Sequence, residues 1–138
     1  MQIERVGGLL IVAHGRENPS DEEWNEHMAA SDTARHKFRG VLVTSLGGGP
    51  NAGQRKTLLD LAGSQTYLTC ICTDSIVARG VITAFNWLSP AHMHALPYDQ
   101  VDRALEMLEV PVVERGEVKQ TVARLHAKLA ESTSRSKA

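Results

Sequence analysis

The stretch Gly40–Arg79, GVLVTSLGGGPNAGQRKTLLDLAGSQTYLTCICTDSIVAR, decides the fold. An apolar run from Val41 to Leu46 stops at Gly47-Gly48-Gly49-Pro50-Asn51. A helical pattern follows over Ala52 to Ala62. Leu58, Leu59, Leu61 and Ala62 form its packing face, and Gly63 suits the left-handed conformation beyond a helix end. A second apolar run, Tyr67 to Thr73, stops at Asp74-Ser75 and gives way to a helix from Ser75 to Leu88. Ile76, Val77, Gly80, Val81, Ala84 and Trp87-Leu88 recur there at three- and four-residue intervals and predict its inner face. Strand, turn, helix, strand, turn, helix is the unit of a parallel sheet with helices packed on it. Both strands end on one edge, where open α/β folds hold ligand or regulatory sites.

Upstream, Gln2 to Val6 and Leu9 to His14 flank Gly7-Gly8, a pair that tolerates the positive φ of a tight turn and predicts a β-hairpin. Leu9 to Ala13 is apolar on both faces, as a covered central strand requires, whereas Ile3 and Val6 sit among polar residues and suit an edge. Ser20 with Glu23 reads as a capping box for a helix running to about Lys37. Its inner side carries Trp24, His27 or Met28, and Ser31 or Ala34. Downstream, Ser89-Pro90 stops the preceding helix and Met93 to Leu96 makes a last short strand. A helix follows from Tyr98-Asp99 with Val101, Ala104, Leu105 and Leu108 inward. Pro111 then breaks the pattern before a helix over Glu114 to Ala130. The reading is therefore a single mixed, mostly parallel α/β sheet, opened by a hairpin and covered by helices. Residues 1–110 form the domain, 111–131 a helical extension and 132–138 a flexible polar tail.

Composition narrows the function. The 138 residues suffice for one core, and a net charge of −1 offers no field for nucleic acid or an anionic surface. Aromatic residues at 4% argue against base-stacking platforms. No apolar run approaches the ~20 residues of a membrane helix, and the amino terminus lacks a basic region leading into an apolar stretch, so a cytoplasmic location is expected. Cys70 and Cys72 lie two apart in a strand and point the same way, which disfavours a disulfide between them and suits reduced core thiols. No paired Cys or His spacing supports a metal or other cofactor. His14, His92 and His94 could form a joint metal or acid–base site only across opposite sheet edges, which counts against one.

With that order of elements in place, residues 2 to 108 resemble the STAS or SpoIIAA-like family, the anti-sigma-factor antagonist fold, and its SpoIIAA-like bacterial proteins most of all. The resemblance rests on the opening hairpin, the alternation of helices and strands, and a helix that begins just after Asp74-Ser75. In that family the serine of such a pair is phosphorylated by a partner kinase. The resemblance thus implies a phosphoacceptor at Ser75, with Asp74 and Arg79 supporting. The family pattern continues with serine and glycine where this chain has Ile76 and Val77, and this chain carries an additional strand–helix step before the pair.

The residues themselves offer a second candidate. Gly47, Gly48, Gly49 and Asn51 at a helix start, with Arg55 behind, are an anion-binding pattern. It is not a nucleotide-binding P-loop. Gln54 and Arg55 intervene before Lys56, which turns that lysine by about 200° around the helix. The plain alternatives are a tight turn capped by Asn51, and Asp74 or Ser75 serving as a helix cap. No serine–histidine–aspartate or paired-carboxylate motif points to catalysis. The expected function is a non-enzymatic regulatory or protein-interaction module working through the strand-to-helix edge. The alternatives are an anionic small-molecule binder or enzyme at that edge, or a subunit that self-associates through residues 114–130.

Overall fold

The computed structural model describes residues 1–30, 39–62, 67–88 and 93–137. Its chain order is β1 (Gln2–Val6), β2 (Leu9–His14), α1 (Asp21–Ala30), β3 (Gly40–Ser45), α2 (Ala52–Ala62), β4 (Leu68–Thr73), α3 (Ile76–Leu88), β5 (Met93–Leu96), α4 (Val101–Met107) and α5 (Val112–Lys137). The five strands form one mixed sheet in the order β1-β2-β3-β4-β5. β1 is antiparallel to β2, and every other neighbouring pair is parallel. The continuation of α1 to Lys37, Ser31 and Ala34, the Gly63 cap, the Ser89-Pro90 stop and His92 lie outside the described residues. So does the packing expected of Leu58, Leu59, Leu61, Ala62, Trp87 and Leu88.

Register sorts the side chains into two layers. Leu9, Ile11, Ala13, Leu42, Cys70, Cys72 and Leu96 face one way and pack with Ala104, Leu105 and Leu108 and with Val118 and Leu125 of α5. Leu10, Val12, Val41 and Tyr67 belong to the opposite layer. Strand alternation is the cause, since a two-residue period sends neighbours to opposite faces. α5 lies across β1 and β2, and α4 covers β4.

The helix expected as an extension packs into the same core as the sheet. Val118, Thr121 and Leu125 of α5 are buried, and Val122 and Leu129 pack against the same core. The helix therefore completes the domain core and is no appendage. It starts at Val112, directly after Pro111, and continues to Lys137, past the expected end near residue 131. Proline fits just ahead of a first helical turn, and no glycine or proline occurs after residue 116 to stop the helix. The stripe expected to drive self-association, Val118-Val122-Leu125-Leu129, is occupied by the chain's own sheet.

Two capping boxes set the helices on the sheet's other face. The Ser20 amide donates to Glu23 Oε1 at 3.0 Å, and the Glu23 amide donates to Ser20 Oγ at 3.2 Å. The Asn51 amide donates to Gln54 Oε1 at 3.0 Å, and the Gln54 amide donates to Asn51 Oδ1 at 2.9 Å. Each reciprocal pair satisfies two backbone donors that the first helical turn would leave unpaired. The second box was not expected, because glutamine at the third helical position was read only as an obstacle to a P-loop.

Candidate functional site

β3 and β4 lie in parallel register, with Ser45 opposite Thr73. Their turns therefore leave the sheet side by side, and both feed a cavity of about 280 Å³ between the sheet and α1, α2 and α3. Among the described residues, Gly47, Gly48, Gly49, Asn51, Arg55 and Ser75 all line it. Val41, Val43, Ile71, Val81, Ile82 and Met93 form its apolar part. Asp74 points instead into a shallow neighbouring depression with Leu46 and Tyr98.

The glycine turn is built by contacts within the chain. Ser45 Oγ donates to the Gly48 carbonyl at 2.6 Å and accepts from the Gly47 amide at 3.0 Å. The Gly48 amide donates to the Gly15 carbonyl at 2.8 Å, and the Gly49 amide reaches Asn18 Oδ1 at 3.3 Å. A side chain at position 48 would run into the Glu17 carbonyl, so glycine there permits the two loops to touch. Gly47 has φ +133°, a region that also favours glycine. An anion cradle needs these amides aimed at a ligand. Here they are spent on Ser45, Gly15, Asn18 and Gln54. The amides of Gly47, Gly48, Gly49 and Asn51 are thus bonded within the chain, and Arg55 is the charged member of that candidate set. Its Nη1 donates to the Pro50 carbonyl at 3.1 Å, which leaves other guanidinium donors. Gln54 is buried and ties the turn to the loop before α1 through Pro19 O at 3.1 Å and Asp21 Oδ1 at 3.0 Å.

Ser75 is the cap of α3: its Oγ accepts the Ala78 amide at 3.2 Å. Arg79 Nε donates to the Thr73 carbonyl at 3.1 Å, and its Nη2 lies 3.9 Å from Asp74 Oδ1. Asp74 also accepts the Tyr98 amide at 3.1 Å. The inner face expected of α3 is corrected here. Ile76 and Val77 are 85% and 78% exposed, and Gly80 and Ala84 are exposed as well. Ala78 and Val81 line the cavity, and Ile82 is buried there. Val77 also borders the cavity while Ile76 does not, and helical periodicity alone does not fix which side of this first turn meets the sheet.

Sequence reading weighs His14 only together with His92 and His94 and places Trp24 and His27 only on the inner side of α1, so their meeting at this cavity comes from the structure. His14 and His27 are 5% and 7% exposed and both line the cavity. Burial lowers the His14 imidazole to about 3, with further repulsion from His27, and burial lowers His27 to about 4. Both rings are neutral at pH 7. Among the described residues, His14 Nδ1, His27 Nδ1 and Trp24 Nε1 have no hydrogen-bond partner. Each such buried group costs roughly 1–3 kcal/mol. Trp24 and His27 meet as tilted rings, 5.1 Å between centres and 38° between planes. The spacing of Trp24 and His27 on one helical face was visible, but it did not choose His27 over Met28.

His14 has no counterpart in His94. His94 is exposed and pairs in register with Cys70, on the opposite sheet face. Among the described residues no group of three or more His, Cys, Asp or Glu side chains could hold a metal. Cys70 and Cys72 are buried unpaired thiols, pushed up to about 11 and about 12 by burial. On that side of the sheet His126 Nε2 meets Thr44 Oγ1 at 2.7 Å. No described helix is long and apolar enough to cross a membrane. No protein-family model, curated protein or solved structure matches the chain.

Proposed function

We propose that the protein is a non-enzymatic regulatory module of the STAS-like kind, binding a protein partner through the rim where β3 enters α2 and β4 enters α3. One observation carries the reading. Leu46, Ile76 and Val77 stand 47%, 85% and 78% exposed around Ser75 on that rim. Large apolar side chains grouped in water mark interaction surfaces. Leu46, Asp74, Ser75 and Tyr98 also share one depression, which gives a partner a shaped contact.

Ser75 is the control point in this reading. A phosphate on its oxygen stands at the amino end of α3, where the helix dipole favours negative charge, with the Arg79 guanidinium one turn on. Asp74 beside it opposes that charge, so the modification reshapes the local ion pairing as well as the patch. The partner is a protein, and neither nucleic acid nor membrane insertion has a part in it.

Intact-mass analysis after incubation with cell extract and ATP tests the control point. Wild type gains one phosphate and Ser75→Ala does not; equal modification of the two proteins removes Ser75 as acceptor. Unmodified protein, phosphorylated protein and an Ile76→Asp/Val77→Asp variant are then compared as bait in the same extract. A protein held by the first and lost from the other two supports the reading, and identical profiles defeat it.

A further inference from the structure

The cavity behind the rim has an apolar middle and, among the described residues, one charge. Along β3 its wall reads Ser45, Val43, Val41, and Thr69, the register partner of Val41, stands with Tyr67 at the inner end. Those four residue steps span about 13 Å at ~3.3 Å per residue. Val81 and Ile82 of α3, Ile71 of β4 and Met93 of β5 continue the apolar part. Arg55 is the single Lys, Arg, Asp or Glu among the described lining residues. His14 and His27 add polar nitrogen without charge at pH 7. Among the described residues a guest therefore meets one positive group, neutral imidazoles and an apolar stretch that ends at Thr69 and Tyr67.

We infer that this cavity binds a small monocarboxylic acid with an unbranched apolar tail, carboxylate toward Arg55 and tail along Val43, Ile71 and Ile82. Size sets the length. At about 30 Å³ for each water-sized atom, 280 Å³ holds roughly nine to ten non-hydrogen atoms, the size of an eight-carbon acid. Charge sets the head group. A carboxylate pairs with the guanidinium donors that Pro50 leaves over, whereas an ammonium meets no carboxylate among the described lining residues. A second, independent observation marks the site as built for a polar guest. His14, His27 and Trp24 are each more than nine-tenths buried in the wall, and each keeps a ring nitrogen without a partner among the described residues. Trp24 Nε1 can only donate, and each neutral imidazole carries one N–H besides its acceptor nitrogen, so carboxylate oxygens find donors in this wall.

The inference does not depend on the partner surface, since neither Ile76 nor the Ser75 hydroxyl is needed to hold the acid. Octanoate is the probe, titrated at pH 7 into labelled protein and followed by amide chemical shifts. Saturable shifts are expected at Val43, Ser45, Arg55, Ile71 and Ile82. Octylammonium should bind at least about tenfold more weakly, the scale of one charged hydrogen-bonded contact. Arg55→Gln should weaken octanoate by about tenfold while leaving binding of neutral octanol unchanged, which also reports that the variant is folded. Val43→Phe, which fills the channel, should weaken octanoate and octanol together. Absence of saturable octanoate shifts, shifts confined to residues outside the cavity, or octylammonium binding as tightly as octanoate each overturns the inference. So does an Arg55→Gln protein that binds octanoate as wild type does.

Discussion

Acid should destabilise this protein through His14 and His27 before its carboxylates begin to titrate. Both imidazoles are held below their ordinary value of 6.5, His14 at about 3 by burial and by His27, and His27 at about 4 by burial. The unfolded chain therefore binds their protons first as pH falls. Their contribution is fully present above about pH 6.5 and is lost as pH drops toward 4 and then 3. At 1.36 kcal/mol for each pH unit below 6.5, each group withdraws about 2 kcal/mol by pH 5, and the pair about 4 kcal/mol. Against a typical total of roughly 5–15 kcal/mol, that is a large share. Urea unfolding at pH 7, 6 and 5 measures the loss directly. A His14→Gln/His27→Gln protein, whatever its stability at pH 7, should lose far less than wild type over that interval. Wild-type stability that stays level from pH 7 to pH 5, or a slope that survives in the double variant, would refute the reasoning.

Two further outcomes test the architecture. Gly48→Ala should cost more than the ~1 kcal/mol of an ordinary glycine replacement, because its side chain meets the Glu17 backbone rather than a flexible chain end; a thermal melt within error of wild type would contradict the close loop approach. Leu125→Ala should lower unfolding free energy by about 2–5 kcal/mol in urea, as expected of a fully buried leucine, whereas a peripheral helix would show little change.

Much of the fold was legible because it is written in local chemistry. Gly7-Gly8 forces a hairpin turn, and Leu9 to Ala13 reads as a doubly covered strand since both alternating faces are apolar. The parallel run of β2, β3 and β4 follows from helices standing between them. The candidate site was legible only as an edge. Asn51 and Ser75 were expected to share a rim, and they line one cavity because Ser45 and Thr73 are register partners. What the glycine turn does with its amides was not legible, since Gly15 and Asn18, their acceptors, lie some thirty residues earlier in the chain.

The sequence by itself determined the order of elements, the central strands and the starts of α1, α2 and α3, because periodicity, turn residues and caps act over a few neighbouring positions. Only the tertiary structure decided that α5 closes the core, that Ile76 and Val77 stand exposed to water, and that His14 and His27 are buried neutral beside a cavity. Each of those outcomes depends on which surface arrives opposite a side chain from a distant part of the chain. Burial, desolvation and the titration that follows from it are properties of that meeting, and no local pattern carries them.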